Sequence, residues 1–214
     1  MADTPDKEAE KGASLNLYII TNLKYIQSVE KYIGVLSAIV IGCAQLIYLL
    51  NTWKKRVTPS VLSWLGWAFL MGTSLVAQTL SKGWQWSLAS LGCSTVGCLL
   101  IALVAWGRGN FSFHPKDLRF LALGLVCMVI YGCSDNPWMT TIFAIIADVL
   151  LGIPTLRKAW REPKQERSSS WILGMVSSGL ALSICFDHSL IYALFPAYLF
   201  AFNGTMTCFT FLLN

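Results

Sequence analysis

Thr52-Trp53-Lys54 closes one apolar run and Ser63-Trp64 opens the next; 107 positions later, Ala159-Trp160-Arg161 and Ser170-Trp171 do the same. On that offset Trp53 meets Trp160, Lys54 meets Arg161, Ser63 meets Ser170 and Trp64 meets Trp171. With three more residues in the second copy, Ser94-Thr95-Val96-Gly97-Cys98 falls on Gly204-Thr205-Met206-Thr207-Cys208. In each copy a hydrophobic stretch ends at a tryptophan, a basic loop follows and a second tryptophan opens another stretch. Tryptophan sits at membrane–water interfaces because its ring is apolar and its N–H is polar.

Composition agrees with that setting. Charged residues make up 13% of the 214-residue chain, hydrophobic ones 55%, and mean hydropathy is +0.58. Soluble domains carry about 25% charged residues, and a chain of this length cannot bury so much apolar surface in one core. Seven windows approach the 20 or so apolar residues that a membrane-crossing helix needs. They are Tyr32–Asn51, Ser60–Leu80, Trp86–Trp106, Leu118–Cys133, Trp138–Leu156, Trp171–Phe186 and Leu190–Leu213. Turn-forming clusters part them at Ser81-Lys82-Gly83, Gly107 to Pro115, Ser134 to Pro137 and Asp187-His188-Ser189. The runs are solidly apolar and do not alternate, which excludes a transmembrane β-barrel.

The predicted fold is therefore an all-α integral membrane protein. Repeat 1 covers 32–106, a linker with the fourth span covers 107–137, and repeat 2 covers 138–214. An odd linker helix gives both repeats the same orientation. Residues 1–13 lack aromatics and read as a disordered tail without the pattern of a secretory signal; 14–31 read as an interfacial or lead-in helix.

Loop charge sets the orientation. Lys54, Lys55, Arg56, Arg108, Lys116, Arg119, Arg157, Lys158, Arg161, Lys164 and Arg167 share one side with only Asp117, Glu162 and Glu166. The other side has more acids than bases. Basic loops stay in the cytoplasm, so the N-terminus is expected outside and the C-terminus inside. This asymmetry explains the net charge of +5 and argues against nucleic-acid binding; the expected surroundings are the lipid bilayer, with an oligomer compatible.

The polar inventory of the spans is short. Asp148 is the one ionisable residue well inside a window, ten residues past Trp138 and ten before Lys158, hence near the midplane at about 1.5 Å per residue. A carboxylate there needs water, a solute or hydrogen-bonding neighbours, and Gln45 and Asn203 are the candidate neighbours. Trp64 and Trp67, spaced WxxW, fit interfacial anchoring or an aromatic clamp on a flat solute. Catalysis is poorly supplied. His114 and His188 lie at opposite membrane faces, too far apart for a zinc site, and Asp187-His188-Ser189 are sequence neighbours, which is not how a triad is assembled. The expectation is no enzyme, no cofactor and no metal. The seven cysteines include no CxxC; Cys133 and Cys185, near the outer face, are the one pair placed for a disulfide. The seventh window has no lysine for a retinal.

The three-plus-one-plus-three plan resembles the PQ-loop superfamily, which includes SWEET sugar transporters and lysosomal amino-acid exporters. Gly152-Ile153-Pro154-Thr155-Leu156-Arg157-Lys158-Ala159-Trp160, followed by Glu166 and Trp171, looks like its loop signature. The Pro-Gln pair itself is replaced by Pro154-Thr155 in one copy and Ile47-Tyr48 in the other. The resemblance implies a hinge at Pro154, a solute contact at Asn203 (Cys93 in the first copy) and transport of a small polar solute by alternating access; the midplane position of Asp148 itself suits either proton coupling or an Asp that only specifies helix packing. The WxxW is similar to that of nicotinamide riboside transporters, an alternative of the same plan. Trafficking receptors resembling the superfamily supply a second alternative, a receptor or assembly factor that moves no solute. The residues expected at a solute or coupling site are thus Asp148, Asn203, Gln45, Trp67 and Pro154.

Overall fold

The computed structural model describes residues 5–82, 88–134, 136–183 and 190–212. The Asp187-His188-Ser189 turn, the Trp86 anchor and Cys185 of the suggested disulfide lie outside the described residues. Among the described residues seven α-helices follow one another: α1 (Pro5–Trp53), α2 (Val61–Lys82), α3 (Leu88–Gly107), α4 (Leu118–Gly132), α5 (Pro137–Arg161), α6 (Ser170–Ser183) and α7 (Leu190–Thr207). Single 3-10 turns precede α4 and α6, and α7 runs on into a π-helical turn at Cys208–Leu212. Among the described residues the sole β feature is an isolated bridge between Ser60 and Ser112.

Among the described residues, three segments are long and apolar enough to cross a membrane: Ser28–Trp53, Leu88–Gly107 and Trp138–Arg161, with mean hydropathies of 2.3, 2.2 and 1.9. Val61–Val76 and Ser170–Ser183 are apolar but shorter, and α4 has 15 residues. Large apolar side chains such as Leu46, Phe69, Leu103, Val126, Val129 and Ile142 point outward, while Ser37, Ser63, Asp148 and Ser177 are buried. An exterior of this kind suits an apolar surrounding.

Two ends differ from expectation. The backbone of α1 is helical from Pro5 onward, through positions 5–13 read as disordered and on through the lead-in. Its Ala, Lys and Glu are good helix formers, and proline is tolerated at a first helical position. Trp64 and Trp67, whose spacing fits interfacial anchoring or an aromatic clamp, are core residues at 4% and 5% exposure, which does not suit anchoring. Trp171, the counterpart of Trp64, is buried as well, whereas Trp53 and Trp160 stay exposed. Trp53 and Trp160 thus share one environment, and Trp64 and Trp171 another.

The packing has a repeating pattern. α1 packs on α3 and α6; α2 on α3, α4 and α5; α5 on α4 and α7; α6 on α7. Exchanging α1, α2 and α3 for α5, α6 and α7 reproduces the packing among these six helices. Counterparts also touch. Thr58 donates its backbone N–H to the Gln165 carbonyl at 3.0 Å and its hydroxyl to Gln165 Oε1 at 2.7 Å, across 107 positions. The rings of Trp64 and Trp171 lie 6.1 Å apart. Since the loops that leave α1 and α5 bond to each other, these two helices end on the same side of the bundle.

Helix ends are set locally. α5 starts with Pro137 after Asn136, whose side chain accepts the Trp138 N–H at 2.9 Å. α3 closes with Gly109 at φ 58, the left-handed residue of a reversed last turn. α1 closes the same way, but with Lys55 at φ 56. A side chain in that region costs about 1 kcal/mol and Lys55 is exposed, so Lys55→Gly should stabilise the protein by about that amount. Thermal unfolding in detergent checks this; a lower midpoint would show that the lysine side chain outweighs its backbone strain.

Candidate functional site

The site is built where α1, α2, α3, α5 and α7 converge. Asp148 is 1% exposed. Its Oδ2 accepts the Tyr198 hydroxyl at 2.6 Å, and its backbone carbonyl accepts the Trp67 indole N–H at 3.4 Å. Asp148 Oδ1 is buried without a hydrogen-bond partner, as is Gln45 Oε1. Gln45 donates from Nε2 to Cys98 Sγ at 3.7 Å, and Cys98 lies within electrostatic reach of Asp148. A Cβ at Gly152 would come within 2.7 Å of the Phe202 ring and 3.3 Å of Trp67. Lack of a side chain there lets these rings lie against α5, one helical turn beyond Asp148.

Aromatic rings fill the space between Asp148 and the basic end. Phe202 meets Trp67 at 5.7 Å, Trp67 meets Trp64 at 5.3 Å, and Trp64 meets Tyr48 at 4.5 Å. Below them, Tyr48 donates its hydroxyl to Glu166 Oε2 at 2.5 Å. Lys158 Nζ bonds Glu166 Oε1 at 3.1 Å and also the Thr58 hydroxyl. Trp171 donates its indole N–H to the Glu166 carbonyl at 3.0 Å. Glu166 is fully buried although its loop leaves a helix end. Tyr48, Thr58 and Asn51 (to Ser168, 3.2 Å) come from the first half, and their partners from the second. The two halves are closed against each other at the basic end.

The expected site residues divide. Asp148, Trp67 and Gln45 border the cluster. Asn203 does not: its amide N–H bonds the Leu199 carbonyl in its own helix at 2.8 Å. Its Oδ1 lies only 2.4 Å from where a Cβ on Gly174 would be. Asn203 therefore fits α7 to α6 and is not the partner of Asp148. Pro154 is buried on the opposite flank of α5, among Leu62, Ser63, Phe120 and Leu121; the helix passes through it unbroken. A hollow of about 370 Å³ between α1 and α3, lined by Val35, Ile39, Leu46, Ala89 and Cys93 among others, is apolar and does not border Asp148. No group of three or more His, Cys, Asp or Glu that could hold a metal occurs among the described residues.

Sequence reasoning missed Tyr198, Cys98, Phe202, Tyr48 and the pairing of Glu166 with Lys158. One signal was available: Tyr48 and Thr155 are counterparts at the offset of 107.

Comparison with protein-family models, curated proteins and solved structures finds no significant match.

Breaking a buried ion pair from one side leaves a charge without compensation and typically costs about 3–5 kcal/mol. Lys158→Met should destabilise by that order, and adding Glu166→Gln should restore most of the loss; a double variant as unstable as the single one would show that Lys158 acts through its packing. Burial raises the Glu166 carboxyl above the usual glutamate range, and Lys158 and Tyr48 draw it back only in part. The folded protein thus holds this proton more tightly than the unfolded chain. The stability it contributes is complete below the ordinary glutamate pKa and is lost as pH rises through the raised one. Above the ordinary range, the unfolding midpoint of the wild type should fall with pH more steeply than that of Glu166→Gln. Equal slopes would place the titration elsewhere.

Proposed function

We propose that this chain is a seven-span membrane carrier of three-plus-one-plus-three construction that moves a small polar solute by alternating access at Asp148. The observation that carries the reading is the position of Asp148. It is a buried carboxyl with one unpartnered oxygen, in the middle of a bundle whose halves are tied by polar bonds at the basic end. A carboxylate away from water is costly, and a carrier gives it a use. The exchange pattern of the helices and the contact between Thr58 and Gln165 support two parallel repeats, an architecture that places solutes between repeats near the midplane. The PQ-loop and SWEET resemblance fits this plan. Opening would separate Tyr48 and Thr58 from Glu166 and Lys158.

The second reading, a receptor or packing subunit on the same fold, draws on the tight closure around Asp148. Native Cys98, 2% exposed, separates the two. With the other cysteines replaced, a carrier in liposomes should let a membrane-impermeant cationic thiosulfonate reach Cys98, and Lys158→Met with Glu166→Gln should raise access from the basic side. A Cys98 that stays inert in both proteins would favour the packing subunit.

Topology is open to a simpler test. Cysteines placed at Lys164 and Lys82 should label from the cytoplasmic and outer sides respectively. The reverse labelling would overturn the orientation proposed from loop charge.

A further inference from the structure

Next to Asp148 the unpartnered polar atoms are acceptors; the unpartnered donors, the Trp64 indole N–H and the Thr155 hydroxyl, lie toward the basic end. Tyr198 spends its hydroxyl on Asp148 Oδ2, Trp67 spends its indole N–H on the Asp148 carbonyl, and Gln45 directs Nε2 to Cys98. Asp148 Oδ1 and Gln45 Oε1 remain, both buried and unpartnered. Positive charge is missing too. Positions 120–156 contain no Lys, Arg or His, nor do 61–81, 88–107 or 190–212. Lys158, ten residues along α5 and so about 15 Å away, is engaged by Glu166 and Thr58. The flank of the site is aromatic: Phe202 lies 5.7 Å from Trp67 and 6.1 Å from Tyr198, ring centre to ring centre.

We infer that the solute of this site is a small organic cation carrying a primary or secondary ammonium. Its charge sits against Asp148, its N–H groups reach Asp148 Oδ1 and Gln45 Oε1, and its carbon skeleton lies on Trp67, Phe202 and Tyr198, whose faces attract cations. A neutral polyol could donate hydrogen bonds but would leave the carboxylate uncompensated in a medium where charge is costly. A quaternary ammonium has no N–H for the two oxygens. A sodium ion wants more oxygen ligands than the two that are free. The inference rests on the carrier reading and names its substrate class.

Thermal unfolding of the purified full chain, at constant ionic strength, tests it with four probes: n-butylammonium, tetramethylammonium, glucose and sodium chloride. A ligand that binds the folded state raises the midpoint by mass action. The expected result is a concentration-dependent rise with n-butylammonium, a weaker one with tetramethylammonium and none with glucose or sodium. Asp148→Asn should abolish the rise. Gln45→Met should shift the half-maximal concentration upward at least about fivefold, roughly one lost hydrogen bond, and serves on its own if Asp148→Asn fails to fold. A rise with n-butylammonium that survives these substitutions overturns the inference. So does a rise that depends on Asp148 with glucose or with sodium, either of which leaves the carrier reading standing with another solute class. If no probe raises the midpoint while Cys98 remains reachable in liposomes, the ammonium class falls and the carrier stays. If Cys98 is inert as well, both fall.

Discussion

A glutamate with no exposed surface is the constraint around which this bundle is organised. Glu166 belongs to a short loop between two helices, where water would ordinarily solvate it. Here Lys158 holds one of its oxygens and the Tyr48 hydroxyl the other, while the Trp171 indole holds its backbone carbonyl. Lys158 in turn reaches Thr58 in the opposite half. Satisfying one buried charge therefore needs groups from both halves at once. A buried pair of this kind adds little net stability compared with apolar packing, yet it is costly to break from one side. That asymmetry makes it better suited to defining one closed arrangement than to strengthening the fold.

The aromatic column follows from that arrangement. Tyr48 stands between the Glu166 network and the tryptophans, with Trp64 and Trp171 meeting 6.1 Å apart. Counterparts that touch must lie near a common axis, and Thr58 with Gln165 is a second such pair at the basic end. Away from that end, Ser37 and Ser177 join α1 to α6, their hydroxyl oxygens 2.9 Å apart; their counterparts at an offset of 107, Ala144 and Leu70, are apolar. Two halves that share a packing pattern thus differ in chemistry, and Asp148 belongs to one half only.

Much of this was legible in the sequence, for physical reasons. Long apolar runs separated by Gly, Pro, Ser and Asp clusters specify helices, and the offset of 107 marked the residues that pair. Asp148 stood out because a carboxyl in an apolar window needs an explanation. Burial direction within a window was not legible. Trp64 and Trp67 sit at a span's edge and suit an interface equally well; only their contacts with Tyr48, Trp171 and Phe202 turn them inward. Asn203 and Tyr198 differ by five positions on α7, and the helical repeat sends one toward Gly174 and the other toward Asp148. Glu166 looked like an ordinary loop acid because Tyr48, which bonds its carboxylate, is more than a hundred residues away. The helical start of α1 was hidden by a charged composition that suits a solvated helix as well as a disordered tail.

The central claim is that the polar network at the basic end opens and closes, and a distance across that end tests it most directly. Spin labels at Lys55 and Lys164, both exposed and one in each half, would report it by double electron–electron resonance in liposomes. Two populations are expected, a short distance matching the closed bundle and a longer one, with the longer enriched when Lys158→Met and Glu166→Gln remove the ion pair. A single short distance, unchanged by those substitutions, would contradict it.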